Sequence, residues 1–403
     1  MRTTNQAALT VLPQPLFWLP IGVLAAVYGA FTLSWVIYRI HLPGLVTQFG
    51  FSEAFAPTLL LIEAILAIGI EPIMGRLSDR TEQRQGSRFP VITPGLLLAS
   101  GLFVVIPIVA LVLEPSAFSQ WLIVGLLLLW GIAMSLFRSP LLALLRQYAP
   151  AVQLPKAASL LTLTTGLAGA VMPLGRPLVQ ALGVSVSFLI CAVLLVGVGA
   201  WLKSIRLPAV SPFHWQQATV SPSEDGITPL VLIFGLGFGV TLAFRLAIDT
   251  FPKVLQANLP EVAPPLFNGM IFLTLAVAAL PLGYLAVRWG NAKAMLLGMG
   301  GMAVGLGIMP YGASVPIALM IVLLIGMGFS LITNGILPFA LNAVSWQRSG
   351  FSMGCLFAGV SAATSLQSSL LSQPETPVMA VWIGIIALFV AGGSVVARMD
   401  RMP

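Results

Sequence analysis

The chain has 403 residues, of which 58% are hydrophobic and only 8% are charged, and its mean hydropathy is +1.01. Soluble domains carry roughly a quarter charged residues, so this composition excludes a soluble enzyme, a secreted disulfide scaffold and a disordered protein. The net charge of +7 does not indicate nucleic-acid binding, because the basic residues are scattered between apolar runs and not clustered on one face. The remaining class is an integral membrane protein embedded in a lipid bilayer.

Apolar runs of membrane-spanning length predict twelve transmembrane helices in two sets of six. The first six spans are predicted at about Phe17–Tyr38, Ala54–Met74, Phe89–Leu113, Trp121–Leu145, Ala157–Leu174 and Val184–Leu202. The second six are predicted at about Pro229–Ile248, Leu266–Val287, Ala292–Met309, Ile317–Leu341, Phe351–Leu371 and Pro377–Ala397. We expect an all-α membrane fold with six-helix bundles at 1–202 and 229–403, joined by a linker loop at 203–228.

The distribution of basic residues predicts the orientation of the spans. The loops on the side of the N-terminus hold fourteen Lys and Arg residues, whereas those on the other side hold only Arg39, Arg176 and Lys253. Both termini are therefore expected in the cytoplasm, and the protein is expected in a cell membrane, the inner membrane if the source is bacterial.

Short segments with the same residues at corresponding positions of the two halves, which we call echoes, indicate an internal duplication. Thr32-Leu33 corresponds to Thr241-Leu242, and Gly131 with Ser135 corresponds to Gly326 with Ser330. Gly75, Leu77 and Arg80 after span two likewise correspond to Gly283, Leu285 and Arg288 after span eight. Internal repeats of this kind are common in secondary carriers.

The most specific local pattern is the segment from Gly75 to Pro90, which we interpret as a tight cytoplasmic turn between spans two and three. Its distinctive residues are Gly75, Asp79, Arg80, Arg84, Gly86 and Arg88. A positively charged cytoplasmic loop would explain the arginines but not the Gly-x-Leu-Ser-Asp-Arg order.

This segment resembles the signature between helices two and three of the major facilitator superfamily. Its extension, Asp-Arg-Thr-x-x-Arg-x-Gly-x-Arg-x-Pro, is similar to the glycoside–pentoside–hexuronide cation symporters and the sucrose carriers, as are the stretches around Pro140 and Pro338. Where the sucrose carriers have an arginine and an acidic residue near the end of helix four, this chain has Leu142 and Gln147. The resemblance implies two six-helix bundles that work by alternating access, and a gate role for the six motif residues.

Ionisable residues within spans are the candidates for ion coupling, because burying a charge in the bilayer is costly without a partner or a role. Glu71 and Arg138 each lie 17 residues into an inward-running span, so an ion pair between them is one interpretation. Glu63 lies near mid-membrane with no evident partner. It is either held by neighbouring hydroxyl groups or takes up protons, and relatives of the melibiose type, which carry coupling carboxylates on helix two, favour the second role.

Further candidates surround the expected central cavity. Arg245 and Asp249 lie four residues apart, hence on one helix face, and form either a structural pair or a charged latch at the outer mouth. Asp249 is also a candidate for ion coupling, next in line after Glu63 together with Glu71. The neutral candidates for substrate contact are Tyr28, Thr32, Asn268 and Asn334. Each could equally be a hydrogen-bonding contact between helices.

We expect a monomeric secondary transporter that moves a small solute, with a sugar as the first candidate, and is driven by a proton or sodium gradient. The alternatives are a membrane assembly or pigment-delivery factor of the bacteriochlorophyll-delivery type, or a drug exporter, on the same fold. No enzyme activity or cofactor is expected, because there is no Walker loop and no zinc-spaced Cys/His cluster. His41 and His214 are expected to be isolated and near the surface.

Overall fold

The computed structural model describes residues 16–205, 226–371 and 377–399, so that most of the predicted linker and His214 lie outside the described residues. These ranges contain twelve helices that are long and apolar enough to cross a membrane. We number them α1 (Trp18–Gln48), α2 (Phe55–Gln85), α3 (Phe89–Val112), α4 (Ala117–Ala143), α5 (Leu154–Leu174), α6 (Arg176–Ser204), α7 (Ile227–Asn258), α8 (Pro264–Trp289), α9 (Asn291–Ile308), α10 (Val315–Asn342), α11 (Ser349–Leu370) and α12 (Pro377–Val396). The expected all-α membrane fold of twelve helices is confirmed.

The first helix of each half is longer than its apolar run predicted. Helix α1 continues past Tyr38 through Arg39, His41 and Pro43 to Gln48, and α7 continues to Asn258. His41 is buried inside α1 and not near the surface, and Lys253 belongs to a helix and not to a loop. The predicted ends were wrong because polar side chains within these helices were interpreted as membrane boundaries.

The segment interpreted as a turn is helical over most of its length. Helix α2 runs to Gln85, and the chain reverses at Gly86, whose φ of 69° lies in the left-handed region that terminates helices. Asp79, Arg80 and Arg84 therefore lie on the last turns of a helix. We call the face of the molecule at which α2 ends and α3 begins the motif face, and the other one the opposite face.

The two halves repeat the same set of helix contacts. In the first half α1 packs on α5 and α6, α4 packs on α2 and α3, and α3 packs on α6. In the second half α7 packs on α11 and α12, α10 packs on α8 and α9, and α9 packs on α12. The echoes in the sequence lie at matching contacts: Gly131 of α4 faces Glu63 of α2, and Gly326 of α10 faces Thr274 of α8.

Two seams join the halves, one between α2 and α11 and the other between α5 and α8. Glycines at both seams leave no room for a side chain: a Cβ on Gly75 would collide with the backbone of Gly350, and one on Gly283 with the side chain of Ser159. Small residues allow such close helix contact within a membrane. The seams define the space between the halves in which a central cavity lies.

Candidate functional site

A contact across the first seam holds the motif face closed. The Asp79 carboxylate accepts hydrogen bonds from the backbone N–H groups of Gly350 and Phe351, both at 2.8 Å. These groups belong to the first turn of α11, whose N–H groups have no partner within the helix and carry partial positive charge. Asp79 thus caps a helix of the other half of the molecule.

Arg88 completes this cluster. Its guanidinium lies 2.8 Å from Asp79 and 2.5 Å from Glu82, and donates to the Ser349 hydroxyl at 3.0 Å. The side chain is 1% exposed, so these charges are screened little by solvent. Gly75 packs against Gly350 beside them, whereas Arg80, Arg84 and Gly86 are exposed on the outside of the turn.

A cavity of about 170 Å³ lies between the halves, displaced towards the opposite face. Helices α1, α2 and α4 of the first half and α7 and α11 of the second contribute its walls. Four charged side chains line it: Arg39, Glu63, Arg138 and Arg245. Ser135, Thr241, Ser361 and Thr364 add hydroxyl groups to the lining, and convergent polar groups of this kind orient a small-molecule ligand.

Glu71 and Arg138 form the ion pair that their matching depths predicted. The guanidinium of Arg138 lies 2.6 Å from the Glu71 carboxylate, which is completely buried and also accepts a hydrogen bond from the Ser139 hydroxyl. The Arg138 guanidinium carbon also lies 4.2 Å from the ring centroid of Phe357 on α11. Arg138 therefore lines the cavity, pairs within its own half and contacts the other half.

Glu63 has a partner that the sequence did not indicate. The Tyr38 hydroxyl donates to its Oε1 at 2.5 Å, while Oε2 is buried and has no hydrogen-bond partner among the described residues. The carboxyl group is 5% exposed and borders the cavity. One oxygen is thus fixed, and the other is available to a proton or a ligand.

Arg245 and Asp249 do not form the direct pair that their spacing suggested. Gln367 of α11 lies between them: its Oε1 accepts from Arg245 at 3.4 Å, and its amide nitrogen donates to Asp249. Neither residue, nor Arg39, forms a salt bridge among the residues that the structure describes. Arg39 instead lies over the Trp35 ring at 5.9 Å, and its buried Nε has no hydrogen-bond acceptor within the described part of the chain.

The four neutral candidates do not line this cavity. Asn334 donates to the Ala279 carbonyl of α8, and Asn268 donates to the Ile248 carbonyl of α7, so both link helices of the second half. Thr32 bonds to the Tyr28 carbonyl one turn earlier in α1. Tyr28 lies near the Glu71–Arg138 pair and stacks on Phe31.

Sequence reasoning missed Tyr38 and the cavity position of Arg39. The depth of Tyr38 in the membrane could have indicated its contact with Glu63. Tyr38 lies ten residues before the end of α1, and Glu63 lies eight residues after the start of α2; both of these helix ends lie at the opposite face of the molecule. The premature end predicted for span one concealed this match. No group of three or more His, Cys, Asp or Glu residues in the described part of the chain is arranged to hold a metal ion.

Comparison with known proteins agrees with this arrangement. The profile of the Major Facilitator Superfamily matches residues 24–368, which is most of the chain. The chain belongs to the major facilitator superfamily. The subfamily resemblance to the glycoside–pentoside–hexuronide and sucrose carriers receives no support from these comparisons, and no curated protein matches the chain.

Solved transporters of this superfamily have a similar fold. One is the human organic anion transporter MFSD10 (TETRAN), with a TM-score of 0.67 at 14% identity, covering 94% of this chain and 100% of that one. Another is a bacterial homologue of the iron transporter ferroportin in its outward-facing state, with a TM-score of 0.71 at 18% identity and coverage of 94% and 100%. The structure of a bacterial ferroportin homologue with soaked iron has a TM-score of 0.65 at 19% identity, covering 95% of this chain and 98% of that one. At these identities the likeness concerns the fold alone, and together with the family it supports a multi-pass membrane transporter.

Proposed function

We propose that the protein is a secondary transporter that moves a small polar solute by alternating access, and that Glu63 couples this movement to a proton gradient. The observation that carries the proposal is a buried carboxyl group at the wall of the central cavity. One of its oxygens is held by Tyr38, and the other has no hydrogen-bond partner in residues 16–205, 226–371 and 377–399. Such a group can exchange a proton with the cavity when the cavity is hydrated. A carboxylate fully satisfied by hydroxyl groups could not do so as readily.

Alternating access requires one face of the transporter to be closed while the other is open. The contacts at the motif face close that face. Asp79 caps α11 across the first seam, and the Gly75–Gly350 contact lets the helix backbones touch. Opening the motif face would require these contacts to separate while the opposite face closes. Two such states with a fixed central site are what alternating access requires.

The alternative functions receive less support from the cavity. A pigment-delivery factor or a drug exporter would bind apolar cargo, whereas four charged residues line the space between the halves. A second cavity of about 170 Å³ has an apolar lining that includes Leu96, Leu97 and Val196, but it lies within the first half, between α3 and α6. A carboxylate oxygen is a ligand for a sodium ion as well as for a proton, so the transport test includes a sodium gradient.

The test uses proteoliposomes that contain the purified protein and an internal pH-sensitive dye. Glucose, sucrose, glucuronate and lactate are added singly, and both solute accumulation under a proton gradient and proton entry are recorded. Wild-type protein should accumulate at least one solute with accompanying proton entry. Glu63→Gln should lose accumulation but keep gradient-free exchange, because it retains the shape of the carboxyl group and fixes the neutral state.

The matched control is Glu53→Gln, which removes an exposed carboxyl group just before α2 and should behave as wild type. Accumulation by Glu63→Gln at the wild-type ratio would show that Glu63 is not the coupling residue. Accumulation that follows a sodium gradient and not a proton gradient would reassign the ion. A protein that moves no solute in any arm would contradict the transport proposal for this solute range.

A further inference from the structure

The cavity between the halves carries an excess of positive charge. Its lining includes the guanidinium groups of Arg39, Arg138 and Arg245, but only the single carboxyl group of Glu63. Glu71 does not line the cavity but neutralises Arg138 through an ion pair of 2.6 Å, and its carboxylate has no exposed surface. Two arginines and one carboxyl group therefore set the charge that a ligand in the cavity would meet.

Arg39 and Arg245 are poorly compensated. Arg245 donates to the neutral amide of Gln367 at 3.4 Å, and Arg39 lies 5.9 Å from the Trp35 ring with a buried Nε that has no acceptor among the residues the structure describes. Asp249, the remaining carboxylate nearby, interacts electrostatically with both arginines, but it is exposed, hydrogen-bonded to Gln367 and not part of the cavity lining. Both arginines are half-buried and form no direct salt bridge among the described residues. Partial burial of a guanidinium without a direct ion pair is costly, so an anionic ligand is expected to relieve this arrangement.

The two arginines come from different halves, Arg39 from α1 and Arg245 from α7, and both face the same cavity. Planar guanidinium groups match the two oxygens of a carboxylate, and such charge-assisted hydrogen bonds are among the strongest in proteins. We propose that the cavity binds a small organic anion whose carboxylate or similar oxyanion group lies between Arg39 and Arg245, and that binding of this anion and of a proton on Glu63 favour each other. This inference rests on the proposed function and assigns the substrate class of the same site.

The link between proton and anion follows from the groups around Glu63. Helix α1 presents Tyr38 and Arg39, α4 presents Arg138, and α7 presents Arg245, while the cavity residues of α11 carry no titratable group. Arg39 interacts electrostatically with both Glu63 and Asp249. When Glu63 takes up a proton, Arg39 loses its nearest compensating charge within the cavity and attracts an anion more strongly. By reciprocity, a bound anion favours the proton on Glu63 to the same extent.

Direct binding tests this inference without any transport measurement. Purified protein is titrated with glucuronate, lactate and inorganic phosphate, and separately with glucose, which has the ring of glucuronate but no carboxylate. Binding is followed by the fluorescence of the tryptophans, among which Trp35 lines the cavity. We expect at least one anion to bind about tenfold tighter than glucose, and its affinity to fall by about five- to 150-fold between about pH 6 and about pH 9.

Variants separate the roles of the charges. Arg39→Gln should weaken binding of the anion by about 10- to 100-fold, the loss of one charged hydrogen bond, whereas Arg39→Lys should retain part of it. Glu63→Gln should bind the anion at both pH values with the same affinity and without the proton uptake that the wild type shows in weakly buffered solution. Arg176→Gln is the control, because this arginine is exposed at the start of α6 and does not line the cavity.

Each result decides one question. Binding of glucose as tight as that of glucuronate, no binding of any anion, or anion binding that is insensitive to Arg39→Gln would overturn the anion assignment. If Arg39→Gln does not fold, the comparison of glucuronate with glucose on wild-type protein still decides. Sugar-driven proton entry in proteoliposomes together with absent anion binding would leave the proposed transport function intact and reject only the substrate class.

Discussion

The carboxylate of Glu71 and the guanidinium of Arg138 lie 2.6 Å apart at the wall of the central cavity, with the carboxylate completely buried. Removing one partner of a buried ion pair leaves an uncompensated charge and costs about 3–5 kcal/mol. We therefore expect Glu71→Gln and Arg138→Gln each to lower the midpoint of thermal unfolding in detergent markedly.

The double variant Glu71→Gln/Arg138→Gln should recover much of the lost stability, because no isolated charge is left behind. Additive losses in the double variant would contradict the pair as the source of the effect. Arg138 also lies over the Phe357 ring. The double variant loses this contact as well, so its free energy of unfolding should stay about 0.5–2 kcal/mol below that of the wild type.

Asp79 is expected to control opening of the motif face. Asp79→Asn removes the charge that pairs with Arg88 and weakens the two hydrogen bonds to α11. The closed arrangement should lose about 1–3 kcal/mol, and transport should slow while the protein stays folded. Spin labels at Gln83→Cys and Gln347→Cys, whose native residues are hydrogen-bonded across the seam at 3.3 Å, should show a larger fraction of long distances.

The control for this measurement is Arg76→Gln, since Arg76 is exposed on the same helix and is not one of the six motif residues. The distance distribution of this control variant should match that of the spin-labelled protein without further substitutions. An unchanged distribution in Asp79→Asn would reduce the capping contact to a structural detail without influence on opening.

A methyl group at Gly75 should disturb the same seam by steric means. The Cβ of Gly75→Ala would collide with the backbone carbonyl of Gly350, which cannot rotate away as a side chain would. Gly69→Ala on the same helix meets nothing within 4 Å and should be neutral or stabilising by about 0.5–1 kcal/mol. The two variants are compared by thermal unfolding and by the same spin-label pair; equal behaviour would contradict close packing at the seam.

The predicted orientation is tested by labelling from each side of the membrane. The distribution of Lys and Arg places Ser221 in the cytoplasm and Ser116 outside. Single cysteines at these positions, in a background without Cys355, should react with an impermeant maleimide from opposite sides. Labelling from the same side would reverse part of the predicted topology.

The twelve helices and the Glu71–Arg138 pair could be predicted because both depend on properties that a single sequence displays. A membrane span is recognised by its length and hydrophobicity. Two opposite charges at the same depth on neighbouring helices predict an ion pair. The end of α1 could not be predicted in this way, because Arg39 and His41 resemble a membrane boundary but face the protein interior. That error in turn hid the Tyr38–Glu63 contact.

Contacts between the halves were also beyond the sequence. Asp79 and Gly350 are 271 positions apart, and nothing local to either residue indicates the other. The arginine-rich motif resembled a loop because its charges favour water, although the same residues continue α2 as far as Gln85. Its capping partner becomes evident only when α11 is brought alongside.

The glycines of the two seams are distributed differently along the membrane normal. Between α5 and α8, Gly269, Gly166, Gly169 and Gly283 contact the partner helix along most of its length. Between α2 and α11, Gly75, Gly350 and Gly354 make such contacts only near the motif face, and the cavity separates the helices farther along. Rotation of one half against the other should therefore have its axis close to α5 and α8, so that atoms of α2 and α11 travel the greater distance in each transport cycle.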